Sequence, residues 1–194
     1  MYNELFEKGF VFFDGVTIPD DLYDYFFDLK NFTQGTGDLE TYHEIVEIPA
    51  DICKRIEDNL PEKIKDFIKG FRVYWGAKCM GKGAELYPHS DVSLEEYSYG
   101  TGPAIVVFWI CPKGVAFEGR KFVWGEIKDM SKIPGDANPG SYTNQWEDPN
   151  LTKLGEVTPV TGHGVVVDRL NPLWWHGVTP LTTDTRVITI SGYL

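Results

Sequence analysis

The sequence predicts an α+β fold that is mainly β, with helices near the amino terminus and strands that close on themselves after them. Aromatic residues make up 14% of the 194 residues, and 20 glycines and 12 prolines interrupt the chain. This composition favours many short strands and turns over a helical bundle. The spacing of apolar residues also changes along the chain: it is helical up to residue 70, and afterwards it alternates or forms continuous apolar runs.

The amino-terminal part predicts one strand and two helical stretches. Residues 9–15 indicate a short strand closed by a turn, and residues 19–27 carry apolar side chains at helical spacing. A second helical stretch is expected over residues 50–70, with an interruption at residues 59–61. We expect these helices to cover one face of a sheet.

The rest of the sequence predicts the β core. Strands are expected in four segments, residues 71–75, 104–110, 164–167 and 186–190. Between residues 112 and 159, a long polar stretch with many glycines and prolines predicts an excursion or a lid over a site. The length suits one domain, residues 1–194, with a strand and supporting helices in residues 1–70 and the β core in residues 71–194.

Charge and composition exclude several classes of partner. The formal net charge of -11 disfavours nucleic acid, whose binding normally depends on clustered lysines and arginines. The first eight residues include acidic side chains and no long apolar core, and no later run approaches the roughly 18 apolar residues of a membrane span. Cys53, Cys79 and Cys111 lack the spacing of metal or redox sites and are expected to be small buried thiols. We therefore expect a cytoplasmic protein that binds neither nucleic acid nor membrane.

Two distant segments contain candidate metal ligands. His89 and Asp91 are two residues apart, so on an extended strand their side chains point to the same face and can bind one ion. His176 would supply a third ligand from another strand. Two histidines and one carboxylate form the facial triad of non-haem Fe(II) oxygenases, which leaves coordination positions open. His163 is a rival third ligand, but the glycines on both sides of it suggest a tight turn.

Arg186 provides an independent indication of the kind of ligand. Within residues 186–190 the arginine shares a face with Ile188 and Ile190, so it is expected in the interior if these isoleucines are there. A buried guanidinium needs an anionic partner, because an unpaired buried charge costs several kcal/mol. That partner could be an aspartate or glutamate of the protein, or a bound diacid whose other end lies on the metal.

The chain resembles the 2-oxoglutarate and Fe(II)-dependent dioxygenases, and specifically their prolyl-4-hydroxylase-like branch. One part of the resemblance is residues 83–91, Gly-Ala-Glu-Leu-Tyr-Pro-His-Ser-Asp, where that branch has a glycine turn followed by Pro-His-x-Asp. The other part is residues 175–187, where that branch has His-x-Val-x-Pro-Val and then arginine or lysine. The features of the family cover residues 71–194.

The resemblance implies a double-stranded β-helix, or jelly roll, with supporting helices at the amino terminus. It implies Fe(II) bound by three ligands, His89, Asp91 and His176. It also implies 2-oxoglutarate as cosubstrate, with its distal carboxylate on Arg186, and ascorbate is a further candidate cofactor. Many relatives use a tyrosine before the glycine turn to bind the cosubstrate, and Tyr74 and Tyr87 are the candidates to replace it here.

The reaction that the resemblance implies consumes O2 and 2-oxoglutarate, releases succinate and CO2, and hydroxylates an unactivated C–H bond. Asp91 favours hydroxylation, since related halogenases lack this carboxylate. The first candidate substrate is a prolyl-type side chain of a peptide or protein, and the alternative is a small molecule. Two other classes also fit the residues, a non-catalytic cupin-like binding protein and a zinc hydrolase.

Overall fold

A computed structural model of the chain describes residues 1–34, 42–45, 47–90, 102–114, 119–132 and 146–194, and the predicted ligand Asp91 lies outside them. The α-helices in this part of the chain are α1 (Tyr2–Lys8), α2 (Asp20–Phe27), α3 (Ala50–Asp58) and α4 (Glu62–Ile68). The structure confirms the predicted helices α2, α3 and α4, including the interruption between the last two. Helix α1 is additional, and it buries a single side chain, that of Leu5, which is too small an apolar face to be recognised in the sequence.

The three predicted helices begin in the same way. A proline directly precedes each of them, Pro19, Pro49 and Pro61, and each has an acidic residue in its first turn. Proline has no N–H group and so leaves no donor unsatisfied where a helix starts. A negative charge in the first turn interacts favourably with the helix dipole. In the described ranges, no helix is both long and apolar enough to cross a lipid bilayer.

The strands of the described residues form two antiparallel sheets. They are β1 (Phe10–Phe13), β2 (Thr33–Gln34), β3 (Tyr42–Ile45), β4 (Tyr74–Met80), β5 (Leu86–His89), β6 (Ala104–Ile110), β7 (Phe122–Ile127), β8 (Leu151–Val157), β9 (Gly164–Asp168), β10 (Trp174–Val178) and β11 (Val187–Tyr193). One sheet has seven strands in the order β1-β9-β6-β11-β4-β3-β2, and the other has four strands in the order β5-β10-β7-β8.

The two sheets enclose an apolar interior, as expected of a jelly roll. Ile105, Val107 and Val187 of the seven-stranded sheet belong to one buried cluster with Phe122 and Val178 of the four-stranded sheet. Because successive side chains of a strand point to opposite faces, the remaining positions of β6 and β11 point away from this interior. The predicted class, mainly β with a jelly-roll core, is confirmed.

The helices cover the other face of the seven-stranded sheet, as predicted. Trp75, Ala77 and Cys79 of β4 and Ile188 and Ile190 of β11 form a second buried cluster with apolar side chains of all four helices. The seven-stranded sheet is therefore buried on both faces, one against the helices and one against the four-stranded sheet.

The segment between residues 112 and 159 is not the simple excursion that the sequence predicts. It contains β7 and β8, which make up half of the four-stranded sheet, while residues 115–118 and 133–145 lie outside the described residues. Strand β8 is an edge strand without a buried residue, so its sequence lacks the apolar alternation by which strands are recognised.

Ile64 of α4 is fully buried, at 0% exposure, in the core between the helices and the sheet. We expect Ile64→Ala to lower the free energy of unfolding by about 2–5 kcal/mol, because it removes packed side-chain atoms and leaves a cavity. Urea denaturation followed by circular dichroism measures this change. Lys63→Ala, at an exposed position of the same helix, is the control and should change the value by less than about 0.5 kcal/mol. Equal effects of the two substitutions would contradict the packing of α4.

Candidate metal centre

Two histidines face each other across neighbouring strands of the four-stranded sheet. Strands β5 and β10 pair antiparallel, and their register places His89 directly opposite His176. The ring centroids are 4.4 Å apart, with an interplanar angle of 53°. Residues directly opposite each other in an antiparallel pair bring their side chains together on one face. Strand pairing itself therefore assembles the two imidazoles.

Both rings line a small cavity in the interior between the sheets. Its volume is about 40 Å³, and its wall includes Met80 and Thr189 of the seven-stranded sheet. Most of the wall is apolar, and the two imidazoles contribute polar groups to a space large enough for an ion and a coordinated water molecule.

Aromatic side chains hold the ring of His176 in place. Only 6% of this residue is exposed. The ring of Phe122 stacks on it at 5.5 Å and 26°, and that of Phe10 meets it edge-on at 6.4 Å and 76°. On the other face of β10, a side chain at position 177 would collide with Trp146, so Gly177 allows the indole to pack closely behind the histidine. Such packing fixes the orientation of a ligand before a metal binds.

The backbone of β5 orients His89. Its Nδ1 atom lies 2.7 Å from the carbonyl oxygen of Tyr87. Because a carbonyl oxygen can only accept a hydrogen bond, Nδ1 is the protonated nitrogen of the neutral ring, and Nε2 keeps the lone pair that a metal needs. A hydrogen bond of this kind on the second ring nitrogen is the usual way in which a metal-binding histidine is held.

The predicted third ligand follows His89 by two residues. This residue, Asp91, lies outside the described part of the chain, and within that part no group of three His, Cys, Asp or Glu side chains could hold a metal. The described residues supply two imidazoles, which suit iron, zinc, nickel and copper. The carboxylate ligand stays a prediction.

The rival ligand His163 lies apart from this pair. It is exposed in the turn before β9, where its N–H donates to the carbonyl of Val160 and its carbonyl accepts from the N–H of Trp109. The arrangement agrees with the tight turn that its flanking glycines predict.

Arg186 does not lie in the interior, and the prediction that it does is wrong. Its neighbours Ile188 and Ile190 are fully buried, at 0% exposure, but on the helix-covered face of the sheet. Arg186 is exposed and precedes β11. Burial raises the pKa of Cys79 to about 11, and the charge of Arg186 opposes this shift, so the guanidinium acts on a thiol of the helix-facing core. The role of Arg186 in cosubstrate binding stays a prediction, without the burial from which it was argued.

Tyr87, a candidate for cosubstrate binding, points away from the histidines. It is 40% exposed, and its ring lies 6.4 Å from that of Trp146, which packs behind β10. A hydrogen bond to Glu85 raises the pKa of Tyr87. The contacts of Tyr87 are therefore on the outer face of the four-stranded sheet.

Tyr74, the other candidate, lines a cleft that adjoins the histidine cavity. The cleft has a volume of about 250 Å³ and also contains Glu44. It shares three wall residues with the cavity, Lys78, Ser191 and Tyr193. These three were not predicted as site residues, although the alternation in β4 and β11 indicates that they share a face.

A buried arginine was also not predicted as a site residue. Arg120, just before β7, is only 1% exposed. Its Nη2 donates to the carbonyl of Ala84 at 2.6 Å, and its buried Nε and Nη1 have no hydrogen-bond partner. Burial lowers the pKa of this guanidinium to about 10, so it remains protonated at neutral pH.

The fold is that of the 2-oxoglutarate and Fe(II)-dependent oxygenases, and the resemblance seen in the sequence is confirmed at the level of the fold. A prolyl-4-hydroxylase of Pseudomonas putida superposes with a TM-score of 0.61 at 13% identity, over 98% of this chain and 95% of that chain. A prolyl hydroxylase of Trichoplax adhaerens, solved with a peptide of hypoxia-inducible factor, superposes with a TM-score of 0.59 at 12% identity, over 98% and 86% of the two chains.

The same fold occurs in an epimerase that was solved with a small molecule. The epimerase SnoN, solved with Fe3+, alpha-ketoglutarate and nogalamycin RO, superposes with a TM-score of 0.61 at 14% identity, over 98% of this chain and 80% of that chain. No protein-family model matches the sequence, and no curated protein matches it significantly.

We expect the histidine pair to bind a divalent transition metal. His176→Ala should weaken Ni(II) binding by more than about 100-fold. Loss of a hydrogen-bond partner of a metal ligand costs up to about 100-fold in metal affinity, and loss of the ligand itself should cost more. Calorimetric titration of metal-free protein measures the affinity. His163→Ala is the control and should bind Ni(II) like the unaltered protein, whereas equal losses in both variants would mean that surface histidines bind the metal.

The buried thiols should be unreactive in the folded protein. Burial raises the pKa of Cys79 and of Cys111 to about 11, and the thiolate is the reactive form. At about pH 8.5, the ordinary thiol pKa, iodoacetamide should modify both slowly until guanidinium unfolds the chain. Because the unfolded thiols ionise first, they should also lower the free energy of unfolding as the pH rises above about 8.5. Intact mass spectrometry measures the modification, and rapid labelling of folded protein would contradict the burial.

Proposed function

We propose that this protein is a 2-oxoglutarate and Fe(II)-dependent oxygenase in which His89, Asp91 and His176 bind the iron. The observation that carries the proposal is the pair of imidazoles opposed at 4.4 Å in the interior of a jelly roll, one of them two residues before a carboxylate. Two histidines and one carboxylate leave coordination positions open for 2-oxoglutarate and O2. The bound iron, with these two reactants, supplies the oxidising chemistry.

The chain itself would orient the ligands and exclude water. The hydrogen bond from Nδ1 of His89 to the Tyr87 carbonyl presents Nε2 to the ion, and Phe122 and Phe10 restrict the rotation of His176. The interior around them is apolar, so few water molecules can reach the reacting groups. Such shielding limits side reactions of the activated oxygen.

A prolyl-type side chain of a peptide is the substrate that the cleft supports best. The cleft beside Tyr74 and Tyr193 has a volume of about 250 Å³, below the range of about 300–1,000 Å³ for sites that enclose drug-sized molecules. It suits one side chain more than a whole drug-sized molecule. A small molecule is the second candidate, since SnoN shares the fold and was solved with nogalamycin RO.

The test of the proposal is a reaction in two stages. Fe(II) and 2-oxoglutarate are added without oxygen, and we expect the metal-to-ligand charge-transfer band of a 2-oxo acid chelated to iron. Admission of O2 should then produce succinate. Metal-loaded protein that gives neither the band nor succinate would overturn the proposal and leave a metal-binding protein or a zinc hydrolase. Peptides with proline, offered in the same reaction, test the substrate class by a gain of one oxygen atom in mass.

Asp91→Ala should abolish succinate formation while the circular dichroism spectrum stays unchanged, because the substitution removes a metal ligand and leaves the apolar core intact. Asp184→Ala removes a carboxylate whose only described ion pair is with Lys82 at the surface, and it should retain full turnover. Loss of the folded spectrum in Asp91→Ala alone would instead indicate a structural metal site.

A further inference from the structure

Arg120 lies at one end of the interior that contains the histidines. It alternates with Phe122 and Trp124, whose side chains belong to the interior cluster, so it is on the same face of the strand. The residue before β7 still pairs with the residue after β10, since the N–H of Thr179 donates to the carbonyl of Lys121 at 2.9 Å. Gly119, with a φ of 104°, provides the turn by which the chain enters this position.

The distance from Arg120 to the metal ligands suits a short bound molecule. Trp124 is the residue opposite His176 in the strand register. Arg120 lies four residue steps before Trp124, which in an extended chain is a distance of about 13 Å between Cα atoms. Arg120 and the two histidines face the same interior, so a short aliphatic diacid between them could contact the metal at one end and the guanidinium at the other.

The positive charge of Arg120 has no counterion in the described structure. Its one hydrogen bond is to the neutral carbonyl of Ala84, and its Nε and Nη1 are buried without partners. The titratable groups that it influences are the thiols of Cys79 and Cys111, and burial raises the pKa of both to about 11. Both thiols are therefore neutral at neutral pH. A buried cation in this state is strongly disfavoured unless an anion binds beside it.

We propose that Arg120 binds the distal carboxylate of 2-oxoglutarate, in the place that the sequence suggested for Arg186. This inference rests on the proposed function. A guanidinium presents several N–H groups in one plane and can bind both oxygens of a carboxylate. Arg186 is exposed, and by strand alternation it shares the face of Ile188 and Ile190, which the helices cover. Lys78 lines the cavity wall and is the competing cation.

The experiment compares two ligands that differ in one carboxylate. Calorimetry on the Fe(II)-loaded protein without oxygen gives the affinities for 2-oxoglutarate and for 2-oxovalerate, which lacks the distal carboxylate. The unaltered protein should prefer 2-oxoglutarate by at least about 100-fold, the lower limit for two charge-assisted hydrogen bonds. Arg120→Gln keeps a donor for the Ala84 carbonyl but removes the charge, and it should lose this preference while its affinity for 2-oxovalerate and for the metal is unchanged.

Control variants separate this inference from the proposed function. Arg186→Gln should keep the full preference for 2-oxoglutarate. If Arg120→Gln does not fold, Arg120→Lys is the substitute variant; it retains the positive charge and should keep a clear part of the preference. A preference that persists in Arg120→Gln, or that is lost in Arg186→Gln or Lys78→Met instead, overturns the role of Arg120 and leaves the oxygenase proposal intact. Unaltered protein that binds Fe(II) but neither oxo acid overturns both.

Discussion

The alternation of side chains across the seven-stranded sheet is the constraint on which the rest of the structure depends. Both faces of this sheet are buried, one against the helices and one against the four-stranded sheet. A shift of one residue therefore moves a side chain between two different environments. In β4, Cys79 packs below the helices while Lys78 lines the cavity of the histidines. The helical layer stabilises the sheet, and the opposite face is left to form the site.

Sequence patterns predicted those parts of the fold in which one face of an element is buried. Helices α2, α3 and α4 were predicted because their apolar residues recur at helical spacing after a proline. The histidine pair was predicted for a different reason. Metal ligands are few in the sequence, and a strand spacing of two defines which of them share a face. The pairing of β5 with β10 then places His89 opposite His176, a contact between residues far apart in the chain that no local pattern could give.

The expected burial of Arg186 is not observed, because a period of two shows which residues share a face but not what covers that face. Ile188 and Ile190 are as apolar as expected, but the layer above them is helical. In a sheet buried on both faces, the sequences of the two sides look alike, since each needs apolar residues. The edge strand β8 was missed for the opposite reason, because neither of its faces is fully buried. Tertiary packing decided both cases.

The interior of the jelly roll has two separate positions for positive charge. The histidines, which would hold a divalent cation, lie opposite Trp124 of β7, and Arg120 lies two interior positions away, just before the start of β7 at Phe122. Folding has already removed the guanidinium from water, so a ligand that binds there does not have to desolvate it again. The carboxylate of the ligand alone must lose its hydration. A diacid that meets the metal at one end and the arginine at the other therefore gains more than a monoacid of equal length, and the apolar residues between the two charges set the length that fits.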